Sequence, residues 1–170
     1  MRYNDCMKNR IITTKPPELQ NPYGTIMGIF AAGISIFFAI LQLFRIDTLV
    51  PLVDVYVPGG VVVASLLIVA VLLAQVFGVP FALRMKLSRL GHVVSGALLA
   101  MAPLYWLLVN IWNYGLDHVS TGQFGSFVST PSGWVAMLLN AAWLVFVLAT
   151  LWALGYGSYR LPDRRRGKKA

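Results

Sequence analysis

The chain has 170 residues, of which 58% are apolar and 12% charged, with a net charge of +8 and a mean hydropathy of +0.70. Soluble domains carry about 25% charged residues, so half that share with long uncharged runs excludes an ordinary soluble fold and predicts a membrane protein. The basic residues lie at the chain ends and in one internal turn, not in stripes interleaved with aromatics, which argues against nucleic acid as a partner.

Residues 1–22 form a polar stretch in which Pro16, Pro17 and Pro22 disfavour a helix. Cys6 is the sole cysteine, which excludes an intramolecular disulfide or a CxxC redox pair and reads as an ordinary thiol in a polar tail. No A-x-A-like site closes the apolar run that follows, so residues 23–44 are expected to remain as the first transmembrane helix. This span carries Gly24, Gly28 and Gly33, with Ala31, Ala32 and Ser35 close by. Small residues let helix backbones approach in lipid, and contact within the chain is the simplest use of them here.

The first connection runs to Pro58-Gly59-Gly60 and includes Arg45, Asp47 and Asp54. Its residues 46–58 are too apolar for a solvated loop, while Pro51 and the acids prevent a span. Such a segment lies at the membrane interface, folds back over the bundle, or docks on another protein.

Residues 61–79 are the second span, closed by Gly78-Val79-Pro80. They are rich in β-branched residues, but a lone strand cannot satisfy its backbone in hydrocarbon, so a helix is expected. The basic turn Arg84-Met85-Lys86-Leu87-Ser88-Arg89 must sit in water or among headgroups. The third span covers 90–112, with a kink expected near Pro103. Residues 113–133 read as an irregular loop rich in Gly, Ser and Thr. The fourth span covers 134–156, capped by Gly155 and Gly157.

The expected fold is an all-α integral membrane protein, a four-transmembrane-helix bundle with both termini cytoplasmic. Its parts are a polar tail (1–22), the transmembrane domain (23–159) and a basic tail (160–170). Four spans place 13 of the 14 basic residues on one side, with only Arg45 on the other, and the positive-inside rule makes that side the cytoplasm. A plasma membrane is the expected location. Tyr23, Trp112, Tyr114, Trp134, Tyr156 and Tyr159 fall at span ends, where amphipathic rings favour the headgroup region. Arg84, Lys86, Arg89, Arg164, Arg165, Arg166, Lys168 and Lys169 are candidate contacts to anionic lipid, though a topology anchor suffices to explain them.

None of the four spans contains Asp, Glu, Lys or Arg. Ion-coupled transporters and proton relays place an ionisable group inside the membrane, and a small multidrug efflux protein needs a buried glutamate. A diheme bundle needs four axial His, whereas the chain has only His92 and His118. Neither catalytic, cofactor nor metal residues are assigned.

Neutral polar residues remain. Gln42, Asn110, Asn113 and Asn140 fall toward the non-cytoplasmic side, with Gln75 and His92 toward the cytoplasm. The first four either make interhelical hydrogen bonds or line a pocket for a small ligand or lipid headgroup. The functional expectation is a non-catalytic accessory or structural subunit within a larger membrane complex, with lipids and other integral membrane subunits as partners. The alternative is a small oligomeric transporter, channel or ligand-binding protein that uses the outer amides; homo-oligomerisation is compatible with either.

Overall fold

A computed structural model of the chain describes residues 13–14, 16–55, 59–112, 114 and 133–159. The architecture is helical. Four helices are long and apolar enough to cross a membrane: α1 (Gly24–Leu43), α3 (Gly60–Ala82), α4 (Arg89–Trp112) and α5 (Trp134–Ala153). A short α2 (Ile46–Asp54) follows α1. At about 1.5 Å per residue even the 20-residue α1 and α5 reach the roughly 30 Å of a hydrocarbon core. The only strands among the described residues are two-residue pieces, β1 (Thr13–Thr14) and β2 (Leu87–Ser88), paired antiparallel.

Three helix ends meet at one end of the bundle, called here the basic end. Gln20 N–H donates to the Ala153 carbonyl at 3.0 Å. Gly28 lies against the Ala82 carbonyl, so closely that a Cβ would clash with backbone. The Arg84 guanidinium donates to the Pro17 carbonyl at 2.9 Å. The segment before α1 is therefore tied across the turn between α3 and α4.

The buried face of α1 is a stripe of small residues: Gly24, Gly28, Ala31, Ala32, Ser35 and Ala39, ending in Gln42. Its large side chains, among them Ile29, Phe30, Phe37 and Ile40, point outward. Lipid tails are as apolar as Leu, so close backbone approach rather than hydrophobic burial holds such a helix in place. Gly24 and Gly28 do serve contact within the chain, whereas Gly33 is exposed with nothing within 4 Å of its Cβ position.

The sequence reading ends the second span at Val79; the helix runs on to Ala82. Pro80 brings no N–H to the ladder, and the Ser95 hydroxyl of α4 enters beside it. That hydroxyl accepts from the Phe81 N–H at 3.0 Å and donates to the Phe77 carbonyl at 2.6 Å. An unbroken α-helix would join those two groups directly. Gly78 lets α3 and α4 touch at the same level, because a Cβ there would stand 2.8 Å from the Leu99 Cα. Pro103 is buried within a continuous α4.

The apolar first connection folds back over the bundle. Leu49 and Val53, one turn apart on α2, bury against Ala64 and Ile68 of α3 and Trp106 of α4. Gly59 and Gly60, with φ of 129° and 74°, then turn the chain into α3 through backbone angles that a side chain would resist.

The fourth span stops at Ala153, three residues before its expected end. Gly155 takes φ 75°, the left-handed conformation that terminates helices, and a 3-10 turn covers Tyr156–Tyr159. Tyr23, Trp112, Tyr114 and Trp134 are exposed at helix ends. Tyr156, expected at the headgroups, instead folds inward. Its hydroxyl donates to the Val93 carbonyl at 2.9 Å, and its ring stands edge-on to Phe81 with centroids 5.5 Å apart. Gly96 makes room for it. The loop 115–132, most of the tail 1–15, the tail 160–170 and Asn113 lie outside the described residues, as do the side chains of Ser158 and Tyr159.

Candidate functional site

Buried amides lie at Gln42, Asn110 and Asn140 in the half of the bundle away from the basic end, the far half, and at Gln75 nearer the basic end. Gln42, Asn110 and Asn140 are each at most 1% exposed, and Gln75 is 3% exposed. Gln75 Nε2 donates to Gln42 Oε1 at 3.2 Å, an interhelical bond between α3 and α1. The sequence reading places these two residues toward opposite sides. Gln42 is 14 residues from Gly28, or about 21 Å, while Gln75 is seven residues from Ala82, or about 10 Å. The offset closes because side chains lean toward their helix N-terminus and α1 and α3 run in opposite directions. Gln42 therefore reaches down as Gln75 reaches up.

The two asparagines satisfy their amide N–H groups locally. Asn110 Nδ2 donates to the Trp106 carbonyl at 2.7 Å, and Asn140 Nδ2 to the Ala136 carbonyl at 2.9 Å. Each of these two bonds runs back one turn within its own helix. Trp106, 3% exposed, was not singled out from sequence. Its spacing of four from Asn110 was the available signal, since i and i+4 share a helical face. Tyr105 Oη, Trp106 Nε1 and Asn110 Oδ1 here are buried without a hydrogen-bond partner, as are Gln75 Oε1 and, at the basic end, Arg84 Nε. Tyr105 and Trp106 stand edge to face with centroids 5.1 Å apart.

A second feature opens between α1 and α5. These helices touch near the basic end, where Gly24 abuts the Ala153 carbonyl. Further along, bulky side chains wedge them apart and leave a wholly apolar groove of about 670 Å³. Phe30, Phe37 and Phe38 form one wall, Ala142, Trp143 and Phe146 the other. Phe38 meets Trp143 edge-on with centroids 6.1 Å apart, and Trp143 stacks on Phe146 at 5.8 Å.

Of the candidate lipid contacts, Lys86 is exposed, while Arg84 and Arg89 are half-buried. Arg84 adopts φ 55° and spends one guanidinium N–H on Pro17. Its position is that of a latch on the N-terminal segment. Arg164, Arg165, Arg166, Lys168 and Lys169 lie outside the described residues. His92 is buried, with Nδ1 3.1 Å from the Ser88 carbonyl; a carbonyl only accepts, so the proton of that bond sits on Nδ1. Among the described residues no three His, Cys, Asp or Glu side chains come close enough to hold a metal ion.

No protein-family model matches this chain, and comparisons with characterised proteins and with solved structures find no similar one.

Proposed function

We propose that this chain is a non-catalytic subunit of a larger membrane assembly, and that the groove between α1 and α5 receives an apolar transmembrane helix of another integral subunit. The aromatic-walled groove carries this reading. Beside it Gly33 offers a notch on the exposed face of α1, flanked at i−3 and i+4 by Phe30 and Phe37. A large side chain from a neighbouring helix enters such a notch more readily than a mobile lipid tail stays in it. The spans, which carry no Asp, Glu, Lys or Arg, support the same reading.

Both termini are assigned to the cytoplasmic side of a plasma membrane. The support is the charge asymmetry together with geometry that brings the N-terminal segment, the basic turn and the end of α5 to one end of the bundle. Anionic lipid headgroups on that side suit the exposed Lys86 and the basic tail.

Native purification in a mild detergent tests the subunit reading. The full chain should co-purify in stoichiometric amount with a second integral protein, and Ala142→Trp, which fills the groove, should abolish that association without changing the melting temperature. A chain that purifies alone, or an Ala142→Trp variant that retains its partner, would refute it.

A further inference from the structure

We propose that Arg84 is a latch that holds the N-terminal segment 16–22 as a strap across the basic end, and that the strap, by keeping α1 closed on the end of α5, regulates docking in the groove between those helices. The regulatory clause rests on the groove's being a docking site; the latch and the strap do not.

A backbone angle carries the inference. At the end of α3 the Arg84 N–H donates to the Phe81 carbonyl at 3.0 Å and the Met85 N–H to the Pro80 carbonyl at 2.9 Å. This helix stop requires a left-handed residue at its turn, and glycine is the usual occupant because a Cβ is strained there. Gly155, at φ 75°, fills the corresponding place after α5. After α3 the place belongs to Arg84 at φ 55°, the only positive-φ residue other than glycine among the described residues. What the arginine adds is a guanidinium that reaches the Pro17 carbonyl at 2.9 Å. Strain of this kind persists where a side chain has other work.

The strap depends on such outside partners. Pro16, Pro17 and Pro22 prevent it from bonding its own backbone as a helix. Asn21 joins it to α1: its Oδ1 accepts from the Tyr23 N–H and its carbonyl from the Gly24 N–H, both at 2.9 Å. Strap and α1 therefore move together. On its other side the Gln20 N–H donates at 3.0 Å to the Ala153 carbonyl, one of the last carbonyls of α5 that the helix itself leaves without a donor. Leu19 packs half-buried against the cluster that includes Phe81, Val147 and Leu154. Through Pro17, Arg84 thus fixes the piece of chain that ties α1 to the end of α5. This is the level at which the two helices meet; beyond it the groove lies between them. The strap holds both groove walls at their common base, and its release would let them part.

Arg84→Gly tests it on the full chain in detergent, in a Cys6→Ser background, because it relieves the backbone and removes the latch together. A residue that only turns the chain would be replaced without movement. A latch gives another result: Leu19→Cys should react with a water-soluble methanethiosulfonate about fivefold faster once Arg84→Gly is added. Lys86→Gln removes a charge from the same turn and should leave that rate unchanged. Spin labels on Thr25→Cys and Trp152→Cys, both exposed near the contact of α1 with α5, should move apart in Arg84→Gly. An unchanged Leu19→Cys rate, or equal acceleration by Lys86→Gln, overturns the latch. Faster labelling at an unchanged spin-label distance overturns the strap's hold on α5. Neither measurement needs a partner, so their failure is separate from failure of the docking reading. Where a partner co-purifies with the parent chain, Arg84→Gly should reduce its yield severalfold and Lys86→Gln should not; an undiminished yield overturns the regulatory link.

Discussion

The basic half and the far half of this bundle hold helices side by side by different means. In the basic half, Gly24, Gly28, Gly78 and Gly96 bring backbones or rings into direct contact. Ser95, Thr150 and Tyr156 there find carbonyl partners at 2.6–2.9 Å. In the far half, an aromatic-walled groove lies between α1 and α5, and Tyr105 Oη, Trp106 Nε1 and Asn110 Oδ1 are buried without partners. Close backbone contact therefore holds the basic half, where Arg84 Nε also lacks a partner, and the apolar groove between α1 and α5 is where recognition has room to occur.

The comparison would break most visibly at the glycines. Gly28→Leu drives a side chain into the Ala82 carbonyl, which is backbone and cannot rotate away. Overpacking of this kind costs about 1–3 kcal/mol and occasionally more. At roughly 2–4 °C per kcal/mol for a chain of this size, the melting temperature in detergent should fall by about 5–10 °C. Gly33→Leu places the same side chain in open space on the same helix and should shift it by less than about 2 °C. Similar losses for both variants would mean that close approach at Gly28 is not the cause, since Leu is the better helix former at either position.

Ser95→Ala is expected to rank next. The hydroxyl bridges the Phe81 N–H and the Phe77 carbonyl beside Pro80, and its removal leaves that turn of α3 open toward α4. A loss of about 1–2 kcal/mol follows, read as a melting shift of about 2–6 °C. Ser95→Thr keeps the hydroxyl and should recover part of it. A silent Ser95→Ala would show that α3 continues past Pro80 without help.

That continuation marks where sequence legibility ended. The four spans were readable because hydrocarbon demands long uncharged runs, and α1 matches its expected limits to within one residue at each end. The overrun of α3 was not readable, since the group that repairs Pro80 sits 15 residues away on another helix. The candidate site was legible in part. Buried amides stand out in an apolar span, so Gln42, Asn110 and Asn140 were visible, but helix rotation and depth are tertiary properties. That Gln42 and Gln75 meet across an axial offset of about 10 Å was therefore not readable from their positions in the chain. Trp106 and Tyr105 were hidden for another reason: their rings read as apolar mass, and their single polar atoms carry no weight in a hydropathy pattern.

Tyr156 gives the smallest effect and the finest test of the division between halves. A tyrosine at a span end ordinarily keeps its hydroxyl among headgroups, where deleting the oxygen changes little. Here the ring occupies the space beside Gly96 and its hydroxyl bonds the Val93 carbonyl. Tyr156→Phe keeps the ring against Phe81 and removes only that bond. Interhelical hydrogen bonds in bundles average about 0.6 kcal/mol, so the expected melting shift is about 1–2 °C. The effect should be independent of Trp106→Phe, because the two residues lie in different halves and share no partner. A double-mutant cycle measures this directly. A coupling above about 0.5 kcal/mol would mean that the two halves respond as one unit through α4.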